Sequence, residues 1–244
     1  MCVDCGCGDT EIVSVELHDE ILAVNNRTAQ HNREHFDEHK LLSVNLMGSP
    51  GAGKTALLEG TAFAFTGHGR LGALAGDLAT DNDARRLLDA GIVAVPINTG
   101  SACHLDAEMV HRALHHFPLE GLDYLFIENV GNLVCPAVYD LGQSLNVVAL
   151  SVTEGEDKPL KYPFMFRKAD AVVLTKVDLL PHLRVSVAAI EDSLARVLPE
   201  PLLFKVSAHT GEGLEEWAAW LEARRAAAVE VPQSARDDTL AALV

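Results

Sequence analysis

A strand-like run that breaks into a glycine-rich loop and restarts as a helix constrains this chain more than any other feature. In LLSVNLMGSPGAGKTALLEG, the loop Gly48-Ser49-Pro50-Gly51-Ala52-Gly53-Lys54-Thr55 follows an apolar run and precedes a helical segment entered through Ala56. This is the phosphate-loop pattern in the strand–loop–helix context that gives it meaning. Its glycines let backbone N–H groups curl around phosphates, and the new helix points its positive end at them. Lys54 is placed to reach the β- and γ-phosphates and the Thr55 hydroxyl to hold Mg²⁺. A chain with such a loop binds a nucleotide at the carboxyl end of a parallel strand.

The remaining sequence supplies the sheet. LGALAGD, IVAVPINTG, DYLFIENVG, LNVVALSVT, ADAVVLTKVD and PLLFKVSA are short apolar runs bounded by turn residues. They do not alternate, as expected of parallel strands covered on both faces. Helical patterns over 54–66, 82–90, 105–117, 185–197 and 214–228 separate most of them. The order predicts an α/β fold, a doubly wound, mainly parallel sheet of about seven strands with ligands beyond the strands' carboxyl ends. The expected organisation is a cysteine motif at 1–9, a polar linker and helix at 10–40, a phosphate-loop domain at 41–228 and a tail at 229–244. At 244 residues and 48% hydrophobic, the chain is long enough for one sizeable core. A net charge of −16 with no basic stripe argues against nucleic acid or an anionic membrane as a partner. No apolar run approaches bilayer length and no signal-peptide pattern opens the chain, which implies the cytoplasm, where thiols stay reduced.

Base selection has its own residues. Thr175-Lys176-Val177-Asp178 closes one predicted strand and resembles the [N/T]KxD element of GTPases. Its Asp carboxylate accepts from both N1–H and the 2-amino group of guanine, an arrangement that adenine lacks. Thr175 stands where Asn is commoner, so selectivity rests more on Asp178. Ser207-Ala208, in VSAHTGEGL, is similar to the loop whose backbone meets the guanine oxygen. For hydrolysis, Asp77 and Glu128 each follow an apolar run and should enter the crevice, Asp77 at the Mg²⁺ shell or attacking water and Glu128 at the Mg²⁺ water shell. The plainer alternative is that both merely end strands. Gly131 offers a backbone N–H to the γ-phosphate. No glutamine is placed to orient water and no arginine stands out as a finger, so slow intrinsic turnover is expected.

All five cysteines need an account. Cys103-His104 precedes a predicted helix and Cys135 lies shortly after Gly131. Thiolate and imidazole together suit Zn²⁺ or Ni²⁺, although adjacent residues do not easily aim both side chains at one ion, so a two-fold dimer would complete the shell. The competing reading is a buried cysteine and a helix-capping histidine. Position favours the metal, because an ion here would sense bound GTP. Cys2, Cys5 and Cys7 form CxxCxC with Gly6 and Gly8 between and after them. Three thiolates with the α-amino group would make four ligands, tetrahedral for Zn²⁺ or planar for Ni²⁺. The alternative is a reactive, unliganded tail.

Together and in this order, CxxCGC, NLMGSPGAGKT, GDLATDNDARRL, NTGSACHLDA, ENVGNLVCPA, EGEDKPLKYP and LTKVDLLP resemble the HypB family of hydrogenase nickel-incorporation GTPases over roughly residues 1–220. The resemblance implies a GTP/GDP cycle in which GTP drives homodimerisation, with nickel held for insertion into [NiFe]-hydrogenase. By it, Cys2, Cys5 and Cys7 match a tight nickel site, and Cys103, His104 and Cys135 match a weaker, nucleotide-coupled site at the dimer interface. Lys158 matches a residue that contacts nucleotide across that interface. The implied partners are the small zinc-bearing metallochaperone HypA and the hydrogenase large-subunit precursor. The alternatives are a nickel GTPase for another enzyme such as urease, against which CxxCGC argues, and a protein that only sequesters metal. Some relatives carry a long His-rich nickel-storing tract that this sequence lacks. His31, His35 and His39 recur along one helix face, where a solvated linker helix is the expected reading over a loose metal site.

Overall fold

Strands that are apolar at consecutive positions need cover on both sides, and the architecture follows from that need. The computed structural model describes residues 10–67, 69–77 and 81–230. Strands β1 (Leu42–Gly48), β2 (Leu71–Asp77), β3 (Val93–Asn98), β4 (Tyr124–Glu128), β5 (Leu145–Ser151), β6 (Ala171–Thr175) and β7 (Leu203–Val206) form one sheet. Their order is β3-β2-β4-β1-β5-β6-β7, and every pairing is parallel. The helices are α1 (Thr10–Glu38), α2 (Lys54–Ala64), α3 (Asn82–Asp89), α4 (Ala107–Leu114), α5 (Lys158–Lys161), α6 (Pro163–Arg167), α7 (Val187–Ala195) and α8 (Leu214–Glu230). The expected doubly wound fold is therefore present with all seven strands.

Side chains of β4 show how the layers are filled. Tyr124 and Phe126 join Leu57 and Leu58 of α2, Leu87 of α3 and Trp217 of α8 on one face. Leu125 and Ile127 join Phe36 of α1 and Val110 and Leu114 of α4 on the other. That second layer continues over β5 and β6, where Val148, Leu150, Val172 and Leu174 meet Phe166 of α6 and Ile190 and Leu194 of α7. Trp217 is fully buried and donates its indole N–H to Thr61 Oγ1 at 2.9 Å, which ties α8 to α2. Truncating such a residue typically costs about 3–5 kcal/mol.

Two segments differ from the sequence expectation. Residues 10–38 are one helix rather than a linker followed by a helix. Its distal half is seated on the sheet domain through few but decisive contacts. Ala29, Asn32 and Phe36 are buried, Asn25 Oδ1 accepts from the Ala107 N–H at 2.9 Å, and Asn32 Nδ2 donates to the carbonyls of Ala107 and Leu141. The short helices α5 and α6, opened by Pro159 and Pro163 near their first turns, were not anticipated. Among the described residues no helix is long and apolar enough to cross a membrane. Cys2, Cys5 and Cys7, and most of the expected tail, lie outside the described residues.

Candidate functional site

Because all strands run the same way, Gly48, Asp77, Glu128, Ser151, Thr175 and Val206 end at one edge of the sheet. Chain direction reverses around β1, whose neighbours are β4 and β5, and the glycine-rich loop sits at that point. Gly51 and Gly53 take φ of +75° and +87°, left-handed values that a side chain disfavours. They curl the loop so that Lys54 starts α2 with its Nζ donating to the carbonyls of Gly48 and Ser49 at 3.4 and 3.3 Å.

A cavity of about 360 Å³ opens beside this loop. It is lined by Lys54, Thr55, Asp77, Glu128 and Gly131 together with Asp83, Arg86 and Asn129. Thr55 Oγ1 donates to Glu128 Oε1 at 2.7 Å, while Glu128 Oε2 and Ser49 Oγ are buried without a hydrogen-bond partner. Buried polar atoms are normally satisfied, so these orphaned oxygens fit a cavity shaped for a cation and phosphate. Burial pushes the Glu128 carboxyl up to about 7 against the opposing effects of the Thr55 hydroxyl and Lys54. Burial also lowers the Lys54 ammonium, against the pull of Glu128. Gly131 is held close to the loop: a Cβ there would lie 2.8 Å from Pro50 Cα. Arg86 was not singled out from the sequence. It reaches this cavity while paired through two hydrogen bonds, 2.9 and 2.8 Å, with Glu59.

A second, smaller cavity of about 180 Å³ adjoins Gly53 and Ala56 and is lined by Thr175, Lys176, Asp178, Leu179, Ala208 and His209. The two candidate base-recognition elements thus meet in space although about thirty residues separate them. Ser207 Oγ donates to Asp178 Oδ1 at 2.6 Å and fixes that carboxylate. Thr175 does something the sequence did not suggest: its hydroxyl donates to the Ala52 carbonyl at 2.6 Å, clamping β6 to the glycine-rich loop. Lys176, in a left-handed conformation, donates to the Gly51 carbonyl at 2.6 Å. Lys158 lines neither cavity, and its Nζ lies 3.3 Å from Glu154 Oε2.

The third assembly is built from one chain. Cys103 Sγ donates to Cys135 Sγ at 3.3 Å and lies 3.8 Å from His104 Nδ1. Ligand atoms of all three residues fall within 4.8 Å of one another. Such spacings are close to the ~3.5–3.8 Å between ligands of one tetrahedral ion. Adjacent Cys and His do therefore converge, contrary to the sequence expectation, because the His104 ring turns to stack on Tyr139 at 4.0 Å. The capping alternative also falls. Asp106, not His104, caps α4 by accepting from Met109 N at 2.8 Å, and Cys103 is exposed. The neighbouring Cys103 thiol first, and burial second, push the Cys135 thiol up. Burial holds His104 below the usual histidine range despite Asp106.

Asn132, also missed from sequence, joins these assemblies. Its backbone forms an isolated antiparallel bridge with Gly48, and its Nδ2 donates to the Cys103 carbonyl at 3.1 Å. The preceding Asn129 accepts from Leu105 N at 3.1 Å and donates to Asn45 Oδ1. The segment after β4 therefore touches the phosphate cavity through Gly131 and holds the cysteine loop through its flanking asparagines.

Residues 42–203 match the family model "CobW/HypB/UreG, nucleotide-binding domain". The chain is 52% identical over 215 residues to the hydrogenase maturation factor HypB of Azotobacter chroococcum, covering 87% of this chain and 70% of that protein. It is 40% identical over 215 residues to the hydrogenase/urease maturation factor HypB of Helicobacter pylori, covering 85% and 86%. The crystal structure of HypB from Helicobacter pylori in complex with nickel superposes with a TM-score of 0.80 at 38% identity, covering 86% of this chain and 98% of that one.

Proposed function

The chain belongs to the HypB family of hydrogenase maturation factors, and on that premise we propose that it is a GTP-hydrolysing nickel metallochaperone for [NiFe]-hydrogenase. The observation that carries the proposal is Asn132, bridged to the phosphate loop at Gly48 and bonded to the Cys103 carbonyl. A change at the γ-phosphate sensor Gly131 then reaches both thiols: Cys135, four residues further along the same segment, and Cys103, through the hydrogen bond from the adjacent Asn132.

In this account the N–H groups from Gly48 to Ala56 cradle the phosphates of GTP or GDP, and Lys54 neutralises charge on the β- and γ-oxygens. Thr55, Asp77 and Glu128 would hold Mg²⁺ and its waters, and the ion would supply positive charge against the phosphate oxygens. Glu128 is poised for this because binding a cation relieves its buried carboxylate. Asp77 also aligns the attacking water. Asp178, fixed by Ser207, accepts from guanine, Ala208 meets its oxygen, and Thr175 and Lys176 keep the base pocket docked on the phosphate loop. Turnover is slow, since Arg86 is engaged by Glu59 and, among the described residues, no glutamine lines the phosphate cavity.

Nickel is cargo. Cys103, His104 and Cys135 bind Ni²⁺ or Zn²⁺, and a second copy of the chain in the GTP-bound dimer completes the shell and brings Lys158 to the neighbouring nucleotide. Cys2, Cys5 and Cys7, in the arm at 1–9, form the tighter nickel site. Residues 41–228 constitute the GTPase domain, preceded by the 10–40 segment and followed by the 229–244 tail. HypA and the hydrogenase large-subunit precursor are the partners, in the cytoplasm. Service to urease is a second reading, favoured by the name of the Helicobacter pylori relative.

Phosphate release from GTP and ATP by the full chain, and by Lys54→Ala and Asp77→Ala, tests the enzyme. GTP alone should be consumed, and neither variant should turn over. Equal use of ATP, or undiminished turnover in Lys54→Ala, would overturn the assignment. In cells lacking the protein, hydrogenase activity should return with excess nickel; a urease defect with intact hydrogenase would favour the second reading.

A further inference from the structure

Four histidines that the mechanism does not use meet where α1 lies on α4. Ligand atoms of His31, His35 and His111 lie within 4.8 Å of one another, and His115 Nε2 approaches His111 Nε2 to 3.2 Å. The rings of His31 and His35 stand 4.6 Å apart, and that of His111 is 4.9 Å from His31. His39, which shares the helical spacing, is outside the group, with its Nδ1 bonded to the His35 carbonyl at 2.9 Å. The spacing along α1 thus identified two members, and the topology supplies the others from a helix about eighty residues away.

One ring is set for ligation by its neighbours. Asn32 is fully buried, and its Nδ2 donates to the Ala107 and Leu141 carbonyls at 2.9 and 3.2 Å. Its Oδ1 therefore faces His111 Nδ1, at 3.1 Å, as an acceptor. His111 Nδ1 must carry the proton, which leaves Nε2 with a bare lone pair directed to the cluster. Ligating histidines are commonly held in this way by a carbonyl or carboxylate on the other nitrogen. The Nδ1 atoms of His31 and His35 lie 3.6 and 3.9 Å from the Glu34 and Glu38 carboxylates, which adds negative charge around the group. Two imidazole nitrogens bound to one zinc ion at about 2.0–2.1 Å stand about 3.3 Å apart, close to the His111–His115 separation.

We propose that His31, His35, His111 and His115 form an imidazole site for a borderline divalent transition-metal ion, Zn²⁺ or Ni²⁺, separate from both cysteine sites. An all-imidazole set suits these ions and not Mg²⁺ or Ca²⁺. A bound ion pins α1 to the helix that begins just after Cys103-His104.

The test uses the full chain with Cys2, Cys5, Cys7, Cys103 and Cys135 all changed to Ser, which removes every thiolate. Competitor-buffered titrations with Ni²⁺ and, separately, Zn²⁺ should each show a single equivalent, and Cu²⁺ placed in the site should show imidazole nitrogen couplings by EPR. Adding His31→Gln and His35→Gln, both on the outer helix, should weaken binding by more than the roughly 10–100-fold typical of outer-shell changes. His111→Gln should do the same, and circular dichroism reports whether each variant is folded. Absence of any bound equivalent in the five-serine protein overturns the proposal. So does binding that survives the His31/His35 pair of changes, or a Cu²⁺ spectrum without imidazole coupling.

Discussion

Glu128 carries a function that costs the fold stability, and Glu128→Gln separates the two. In the nucleotide-free protein its carboxyl titrates at about 7, against an ordinary 4.5, chiefly because it is buried. Between those values the native state keeps a proton that the unfolded chain has released. Stability therefore falls as pH rises from about 4.5 to 7 and is level above that. At about 1.4 kcal/mol per pH unit, the span corresponds to at most about 3.5 kcal/mol. Glutamine keeps the acceptor that Thr55 Oγ1 uses and has no charge to bury. Lys54 loses its strongest carboxylate attraction in the variant, which offsets part of the gain. Urea unfolding of both proteins at pH 5 and pH 8, in EDTA and without nucleotide, is the assay. The variant should be close to wild type at pH 5 and more stable by up to about 3.5 kcal/mol at pH 8, while its GTP turnover falls on the order of 10²-fold or more. A stability difference that does not change with pH would refute the argument that this carboxylate is buried at a cost which only its ligand relieves.

Three further outcomes follow from the same geometry. Asp178→Asn removes one of two acceptors for guanine and should weaken GTP by as much as about 10⁴-fold while improving xanthosine triphosphate, read by competition with a fluorescent nucleotide. Gly131→Ala forces a Cβ to 2.8 Å from Pro50 Cα; the overpacking should cost about 1–3 kcal/mol and displace the phosphate loop, seen as weaker GDP binding. Cys103→Ser and Cys135→Ser together, made in a protein already lacking Cys2, Cys5 and Cys7, should abolish thiolate-to-nickel charge-transfer absorption at the domain site while leaving GDP affinity within a few-fold.

What the sequence disclosed was mostly local chemistry. The glycine-rich loop, Asp178 and Ser207 are legible because each works through a short motif whose backbone geometry is written in its own residues. All seven strands were legible because their apolar runs are bounded by turns. Helix α1 was harder. Among its described side chains the seat is a narrow stripe of Asn25, Ala29, Asn32 and Phe36, half of it polar, so its inner stripe looks like a linker. Arg86, Asn132, His111 and His115 owe their roles to residues far along the chain, and no spacing rule brings them together. Thr175 has a second contact that no motif discloses: besides lining the smaller cavity, its hydroxyl holds the Ala52 carbonyl. The expectation that Cys103 and His104 do not easily aim at one ion left out Tyr139, on whose ring His104 stacks.

The central claim is that nucleotide state and metal affinity are one equilibrium, joined through Asn132. The most direct measurement is the Ni²⁺ affinity of the Cys103, His104 and Cys135 site in protein with Cys2, Cys5 and Cys7 changed to Ser, saturated first with GDP and then with a non-hydrolysable GTP analogue. The account predicts that the two affinities differ by about 5–150-fold, the ordinary range of coupling between sites, and that Asn132→Ala brings them together without loss of nucleotide binding. Equal nickel affinity in the two nucleotide states of the Asn132-containing protein would contradict it.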